Sequence, residues 1–389
     1  MSEHVRQLED RFQLPTYKKF PLVIERGDDV WLLTDQGERY LDLYGGHAVA
    51  VTGHCHRRVV AAIQRQVEKL IFYSNLVYND ARAEAVQKLI EIAPVGLSKV
   101  FFVNSGAEAN ENAIKLARKL TGRTGIISFE GGFHGRTMAA LSATGSSKYH
   151  KGIAPLVPDH HHVPFGDLQA VAAKMNETVA GVLLEPIQSM AGVRMASAEF
   201  YQGLRRLCNQ YGALLIYDEV QTGMGRTGEF FFAPRWGVTP DIMTLAKGIA
   251  SGVPMGAVLV TEAIASRVGY GDFGTTFGGG PLACAALTAT LEVIAQEQLL
   301  DNVRQQSRYL MERCQALSSV EQITGLGFLL GIRFKQPAAA FQQGLLQRRI
   351  LTGLADDPHV LRVLPPLTLR QPEIDLFINA LSQVEEELL

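Results

Sequence analysis

Between about residues 95 and 265, short apolar runs alternate with longer stretches whose apolar positions recur at helical spacing. Residues 100–103, 126–129, 181–184, 213–217, 242–245 and 257–260 have the predominantly apolar character of strands covered on both faces. Residues 107–120 and 199–211 instead carry the 3.6-residue pattern of amphipathic helices. This alternation predicts an α/β domain built on a mainly parallel sheet. The flanks differ. Residues 22–43 suggest antiparallel strands, with Asp35-Gln36-Gly37 as the hairpin turn. After about residue 285 come long helical patterns, a strand-like segment over 327–334 and a final helix from Gln371. The expected architecture is a large central domain, residues 51–275, with a smaller α+β domain assembled from residues 1–50 and 276–389. No internal repeat, low-complexity tract or long linker interrupts this plan.

Composition narrows the picture. Hydrophobic residues make up 47% and charged residues 20%, which excludes a disordered chain. With 37 Lys and Arg against 39 Asp and Glu, no strong pull toward nucleic acid or an anionic membrane is expected. The uncharged stretch 273–291 is glycine-rich and interrupted by Pro281, so it reads as a loop running into a buried helix rather than a membrane span. Cys55, Cys208, Cys284 and Cys314 are too scattered for a disulfide framework or a paired metal site, and are expected to be buried and inert. Residues 1–10 mix both charge signs without an apolar core, so no signal peptide is visible. A reduced, cytoplasmic enzyme without a metal is the expectation.

Candidate chemistry sits at the ends of the apolar runs. Residues 213–217 lead into Asp218-Glu219-Val220-Gln221, and ligands of α/β sheets bind outside the carboxyl ends of strands. Taken alone, such an acid more often just starts a solvated turn. The run 242–245 leads into Lys247, which alone would read as a surface lysine. Together they suggest an amine nucleophile and a carboxylate facing one site. Those are the groups pyridoxal 5'-phosphate requires: a lysine for the Schiff base and an acid to keep the pyridinium nitrogen protonated. Ser105-Gly106-Ala107, between a strand and a helix, offers free backbone N–H groups for a phosphate, although the same turn also serves as a plain N-cap. The segment 274–281 adds the hydroxyls of Thr275 and Thr276 and a flexible backbone.

Six segments carry a family resemblance: NSGAEANENAIKLAR (104–118), GGFHGRT (131–137), LLEPIQ (183–188), LLIYDEVQTGMGRTG (214–228), LAKGIASGVPMGA (245–257) and GTTFGGGP (274–281). In this order they resemble the class III pyridoxal-phosphate aminotransferases, in the subgroup of acetylornithine, ornithine and 4-aminobutyrate aminotransferases. The similarity runs from about residue 17 to the end and implies the fold-type I architecture. It implies that Lys247 is the Schiff-base lysine and proton carrier, and that Asp218 pairs with the pyridinium nitrogen. By the same resemblance, Val220 and Phe133 flank the ring and Gln221 reaches its phenolic oxygen. Gly106 and Ala107 hold the phosphate, with Thr276 added from a partner subunit. The enzyme would then be a homodimer with shared active sites. Arg136 and Arg362 match the family's carboxylate arginines, and Thr275 falls in the same substrate-binding region. The implied reaction moves an ω-amino group from N-acetylornithine or a related diamino acid to 2-oxoglutarate. An aminomutase, a racemase, a transaminase with another donor, or a non-catalytic regulator are the alternatives.

Three positions depart from the family pattern. Met190 stands where a glutamate is usual, one similar to a gate on the small-domain arginine, which leaves the amino donor open. Gly280 replaces a common asparagine and Arg57 a common proline; both read as structural. His160, His161 and His162 are expected to form a polar loop. His54 and His56 are expected to be structural, and Glu185 a strand terminus with a local partner that the family places near the cofactor.

Overall fold

The computed structural model describes residues 2–388. At its centre is a seven-stranded sheet in the order Leu97–Val103, Gly256–Thr261, Ile242–Leu245, Leu214–Asp218, Val179–Leu184, Gly125–Phe129, His160–Val163. Every neighbouring pair is parallel except those made by Gly256–Thr261, which is antiparallel to both its neighbours. All residues of Gly125–Phe129, Val179–Leu184 and Ile242–Leu245 are buried, in keeping with their predominantly apolar character. Alternate side chains enter opposite layers: Leu215 and Tyr217 join one core cluster, and Ile216 packs with Ala113, Ile114 and Ala117 of the helix Gly106–Thr121 in the other. That helix ends at Gly122, whose φ of +70° is the left-handed cap a glycine adopts without a Cβ clash.

The chain ends meet in a second sheet. Ile24–Asp28, Trp31–Thr34 and Arg39–Asp42 run antiparallel, and Ile350–Leu351 adds in parallel to Arg39–Asp42. The turn at Asp35-Gln36-Gly37 is closed by Gly37 N–H donating to Thr34 O at 2.9 Å. A third sheet contains Val320–Leu326, Leu329–Phe334, Val360–Val363 and Gly353–Leu354. The strand expected over 327–334 is thus the second arm of a hairpin that turns at Gly327. The first arm, Val320–Leu326, is mostly exposed or half-buried and has no continuous apolar run to mark it. The uncharged stretch ends in the helix Pro281–Gln296, packed on the helices Arg57–Lys69 and Asp80–Ile92. Among the described residues, no helix is long and apolar enough to cross a membrane.

Two expectations are corrected. His160, His161 and His162 form an edge strand, not a loop, paired in parallel with Ile126, Ile127 and Ser128. At this half-buried edge burial disfavours the charged imidazole: it pushes His160 down to about 3 and His162 below the usual histidine range. Of the cysteines, Cys208, Cys284 and Cys314 are buried, with thiols pushed up to about 12, but Cys55 is exposed. His54 and His56 serve local structure: His54 lies 2.7 Å from Asp42 Oδ2, and His56 caps the helix Arg57–Lys69. Arg57 takes the first helical position, where a proline would also be accommodated.

Candidate active site

A cavity of about 500 Å3 opens at the carboxyl ends of the central strands. Gly106, Ala107, Phe133, Arg136, Asp218, Val220, Gln221, Lys247 and Arg362 all line it, whereas Thr275 and Thr276 do not.

Asp218, the last residue of its strand, is 3% exposed. Its Oδ2 accepts from Asn110 Nδ2 at 2.7 Å and lies 2.8 Å from His134 Nδ1, while Oδ1 accepts from Val220 N–H at 3.1 Å. A carboxylate only accepts, so His134 carries its proton on Nδ1. Asn110 is fixed in turn, donating also to His134 O at 2.8 Å and accepting from Thr244 Oγ1 at 2.7 Å. Burial here is tolerable because hydrogen bonds orient and satisfy the charge.

Lys247 follows the strand Ile242–Leu245 and has φ +47°, a left-handed backbone rare outside glycine. Such strain costs about 1–3 kcal/mol and concentrates at functional sites. Its amine makes no hydrogen bond among the described residues. Burial, the dominant cause, pushes its pKa below the usual lysine range against the opposing pull of Asp218 and Glu185. The neutral, nucleophilic form is therefore reached at lower pH than for an ordinary lysine. Glu185 ends up just beyond the strand Val179–Leu184, lines the same cavity, and accepts from Phe133 N–H at 2.8 Å. Burial pushes its carboxyl up to about 7.

The helix Gly106–Thr121 starts at the cavity wall. Ser105 caps it, with Oγ accepting from Glu108 N–H at 3.1 Å, and Glu108 Oε2 reaches back to Asn104 N–H at 2.9 Å. The N–H groups of Gly106 and Ala107 have no partner among the described residues, and they stand at the positive end of the helix dipole. Glycine at 106 lets Val220 approach: a Cβ there would lie 3.0 Å from both valine methyls.

The two arginines differ. Arg136 is exposed, has no hydrogen bond among the described residues, and lies with its guanidinium 5.3 Å from the Tyr149 ring, which also meets the Phe133 ring at 5.2 Å. Arg362 is 3% exposed and donates to Leu354 O at 2.8 Å, Ser189 Oγ at 3.1 Å and Tyr44 Oη at 2.6 Å. Thr275 Oγ1 instead accepts from Asn104 Nδ2 at 3.2 Å and Gly278 N–H at 3.2 Å, and Thr276 is exposed.

The donor set fits pyridoxal 5'-phosphate: unpartnered N–H groups for a phosphate, an unbonded lysine amine and a buried, oriented carboxylate share one cavity. Residues 12–384 match the family model for class-III aminotransferases. The chain belongs to that family. It is a pyridoxal-phosphate-dependent aminotransferase of fold type I. It is 44% identical to the acetylornithine aminotransferase of Methanopyrus kandleri over 98% of both chains. It is also 44% identical to that of Agrobacterium fabrum over 90% of both. A solved ornithine aminotransferase of Toxoplasma gondii, described with partial occupancy of PLP at its active site, superposes with a TM-score of 0.93 at 28% identity, covering 100% of this chain and 96% of that one.

Several residues of this class-III site carried no assigned role in the sequence. Asn110 lies one helical turn after Gly106 and His134 directly follows Phe133, so both were within reach of a spacing argument. Tyr44, His47 and Tyr17 come from the chain's beginning, where no local pattern points to the cavity.

Proposed function

We propose that this aminotransferase moves the ω-amino group of N-acetylornithine, or a related acylated diamino acid, to 2-oxoglutarate, giving a semialdehyde and glutamate. Two guanidiniums without acid partners among the described residues, Arg136 and Arg362, in one cavity with Lys247 carry this reading, because a dicarboxylic co-substrate needs an arginine for each end. The relatives' names point to the donor. When bound, pyridoxal phosphate supplies an electron sink for the negative charge left on a substrate carbon. The chain supplies the rest. Gly106 and Ala107 N–H groups would bind the phosphate, Val220 and Phe133 would enclose the ring, and Gln221 would serve its phenolic oxygen. Asp218 holds a proton at the ring nitrogen, while the Lys247 amine removes a proton from the substrate and returns it. Mixing N-acetylornithine and 2-oxoglutarate with the holoenzyme and measuring glutamate tests the reading; no glutamate above background would reject it.

Arg362→Ala should slow the 2-oxoglutarate half-reaction about 10- to 150-fold in kcat/KM, the equivalent of a charge-assisted bond of about 1.5–3 kcal/mol. Stopped-flow measurement of that half-reaction is the check, and a change within about twofold would remove Arg362 from its role.

The same proposal includes a homodimer whose sites are shared, in a cytoplasmic enzyme whose buried cysteines remain free thiols. Ile71, Leu76, Tyr78 and Phe277 are 60%, 91%, 106% and 64% exposed, an apolar patch suited to a second copy. Phe277 adjoins Thr276 and packs on Phe72 at 5.1 Å, so the copy covering this patch meets the threonine segment. In a mixed dimer of Lys247→Ala and Thr276→Ala chains, one site regains both native residues if Thr276 acts across the interface. Activity near half that of the parent, with parental cofactor affinity, is expected. A mixed dimer with the cofactor affinity of the Thr276→Ala homodimer would place the threonine outside the partner's site.

A further inference from the structure

Arg362 is buried without a counter-charge. Its three hydrogen-bond partners, Leu354 O, Ser189 Oγ and Tyr44 Oη, are all neutral, and its guanidinium lies 5.3 Å from the Tyr44 ring. No ion pair reaches it among the described residues. The acids that the fold brings nearby are already engaged. Asp42 accepts from Tyr44 N–H at 2.9 Å and Gly45 N–H at 2.8 Å, and its other oxygen lies 2.7 Å from His54 Nε2. Asp356 donates its N–H to Met190 O at 2.7 Å, but its carboxylate pairs with Lys148. Met190 itself lines the cavity, and a thioether accepts hydrogen bonds only weakly.

Glu185 and Asp218 line the same cavity, but Glu185 accepts from Phe133 N–H and Asp218 is bonded to Asn110, His134 and Val220 N–H, and neither pairs with the guanidinium among the described residues. His47 lines it too, with its ring 4.8 Å from that of Tyr44. Burial first, then Arg362 and Lys247, hold its pKa below the usual histidine range. The residues Gly45, Gly46, His47 and Ala48 all have φ between +56° and +66°, so a strained turn presents this neutral ring beside Tyr44. A buried guanidinium among neutral groups is left uncompensated until an anion arrives.

We propose that Arg362 stands open to a carboxylate in both half-reactions, so that α-amino dicarboxylates other than glutamate serve as amino donors alongside the ω-amine. The donor's carboxylate on the amine-bearing carbon would go to Arg362 and its distal carboxylate to Arg136. This deepens the reading given above and rests on the same two arginines. With L-2-aminoadipate the sum is 2-aminoadipate plus 2-oxoglutarate giving 2-oxoadipate plus glutamate. The amino group and the two electrons of the donor's C–H bond pass to the acceptor carbon. The donor carbon gains a carbonyl oxygen from water and the acceptor's is released as water, so no other oxidant is needed.

The test follows the holoenzyme's donor half-reaction with L-2-aminoadipate, glutamate and N-acetylornithine, in the parent, Met190→Glu and Met190→Gln. Aminoadipate should react within about 100-fold of glutamate, since one methylene is worth about that much at most. A carboxylate at 190 can pair with the guanidinium, so Met190→Glu should lower the aminoadipate-to-acetylornithine rate ratio by about tenfold or more, whereas the neutral, similarly sized Met190→Gln should keep it within about threefold. Calorimetry with glutarate gives a readout independent of turnover: Met190→Glu should weaken its binding and Met190→Gln should not. Aminoadipate reacting more than about 1,000-fold slower than glutamate, beyond what a methylene explains, overturns the proposal. So does an equal shift of the ratio in the two variants. Failure with N-acetylornithine alone would instead reject the ω-amine reading and leave open Arg362 standing.

Discussion

Lys247→Ala is expected to abolish turnover while the protein still binds pyridoxal phosphate noncovalently. The two outcomes separate because the structure separates their causes. The proposed phosphate cradle is the start of the helix Gly106–Thr121, and Asp218 is held by Asn110, His134 and Val220 N–H; none of these contacts passes through Lys247. The lysine amine, by contrast, makes no hydrogen bond among the described residues, so its removal breaks no network. General acid–base catalysis by a positioned group contributes about 10^2- to 10^4-fold, and loss of the nucleophile comes on top of that. The rate should therefore fall by at least about 10^3-fold. Activity assays and cofactor absorbance after gel filtration provide the check. Alanine should also relieve little of the local strain, since the φ of +47° disfavours any residue with a Cβ. A small amine added to the variant should restore part of the rate; substantial activity without it would take Lys247 out of the mechanism.

What could be read from the chain was what repeats locally. The strands that lead into Asp218 and Lys247 are largely buried apolar runs, so composition alone revealed them, and both residues line the one cavity. The capped helix start proposed to hold the phosphate was legible because a cap and a helix start are contiguous. His160–Val163 was misread because three adjacent polar residues conceal a strand held by its neighbour Gly125–Phe129 rather than by its own hydrophobicity. The supports of the site were harder still. Asn110 and Asp218 are 108 positions apart, and Tyr44 and Arg362 are 318 apart, so neither pairing leaves a periodic trace. Resemblance supplied the role of Arg362, but its neutral surroundings emerged only once Ser189, Tyr44 and Leu354 were placed around it.

Asp218→Asn is expected to retain the cofactor and lose most of the rate. An opposite charge at hydrogen-bond distance raises the pKa of a protonated nitrogen by about 1–3 units, and each unit is tenfold in the protonated fraction once the pH exceeds that pKa. A neutral amide forfeits this, so kcat should drop by about 10- to 1,000-fold. The surroundings make the amide worse than merely neutral. Oδ2 accepts from Asn110 and faces His134 Nδ1, and Oδ1 accepts from Val220 N–H, so every neighbour donates. Whichever way the asparagine turns, its NH2 group faces a donor, and one buried hydrogen bond is lost at a cost of about 1–3 kcal/mol. The melting temperature should therefore fall modestly, with cofactor retained through the separate phosphate contacts. Steady-state kinetics and a thermal melt of the holoenzyme check both parts. A rate within a few-fold of the parent would mean that another group keeps the ring nitrogen protonated, and His134, the nearest candidate, would be the next residue to replace.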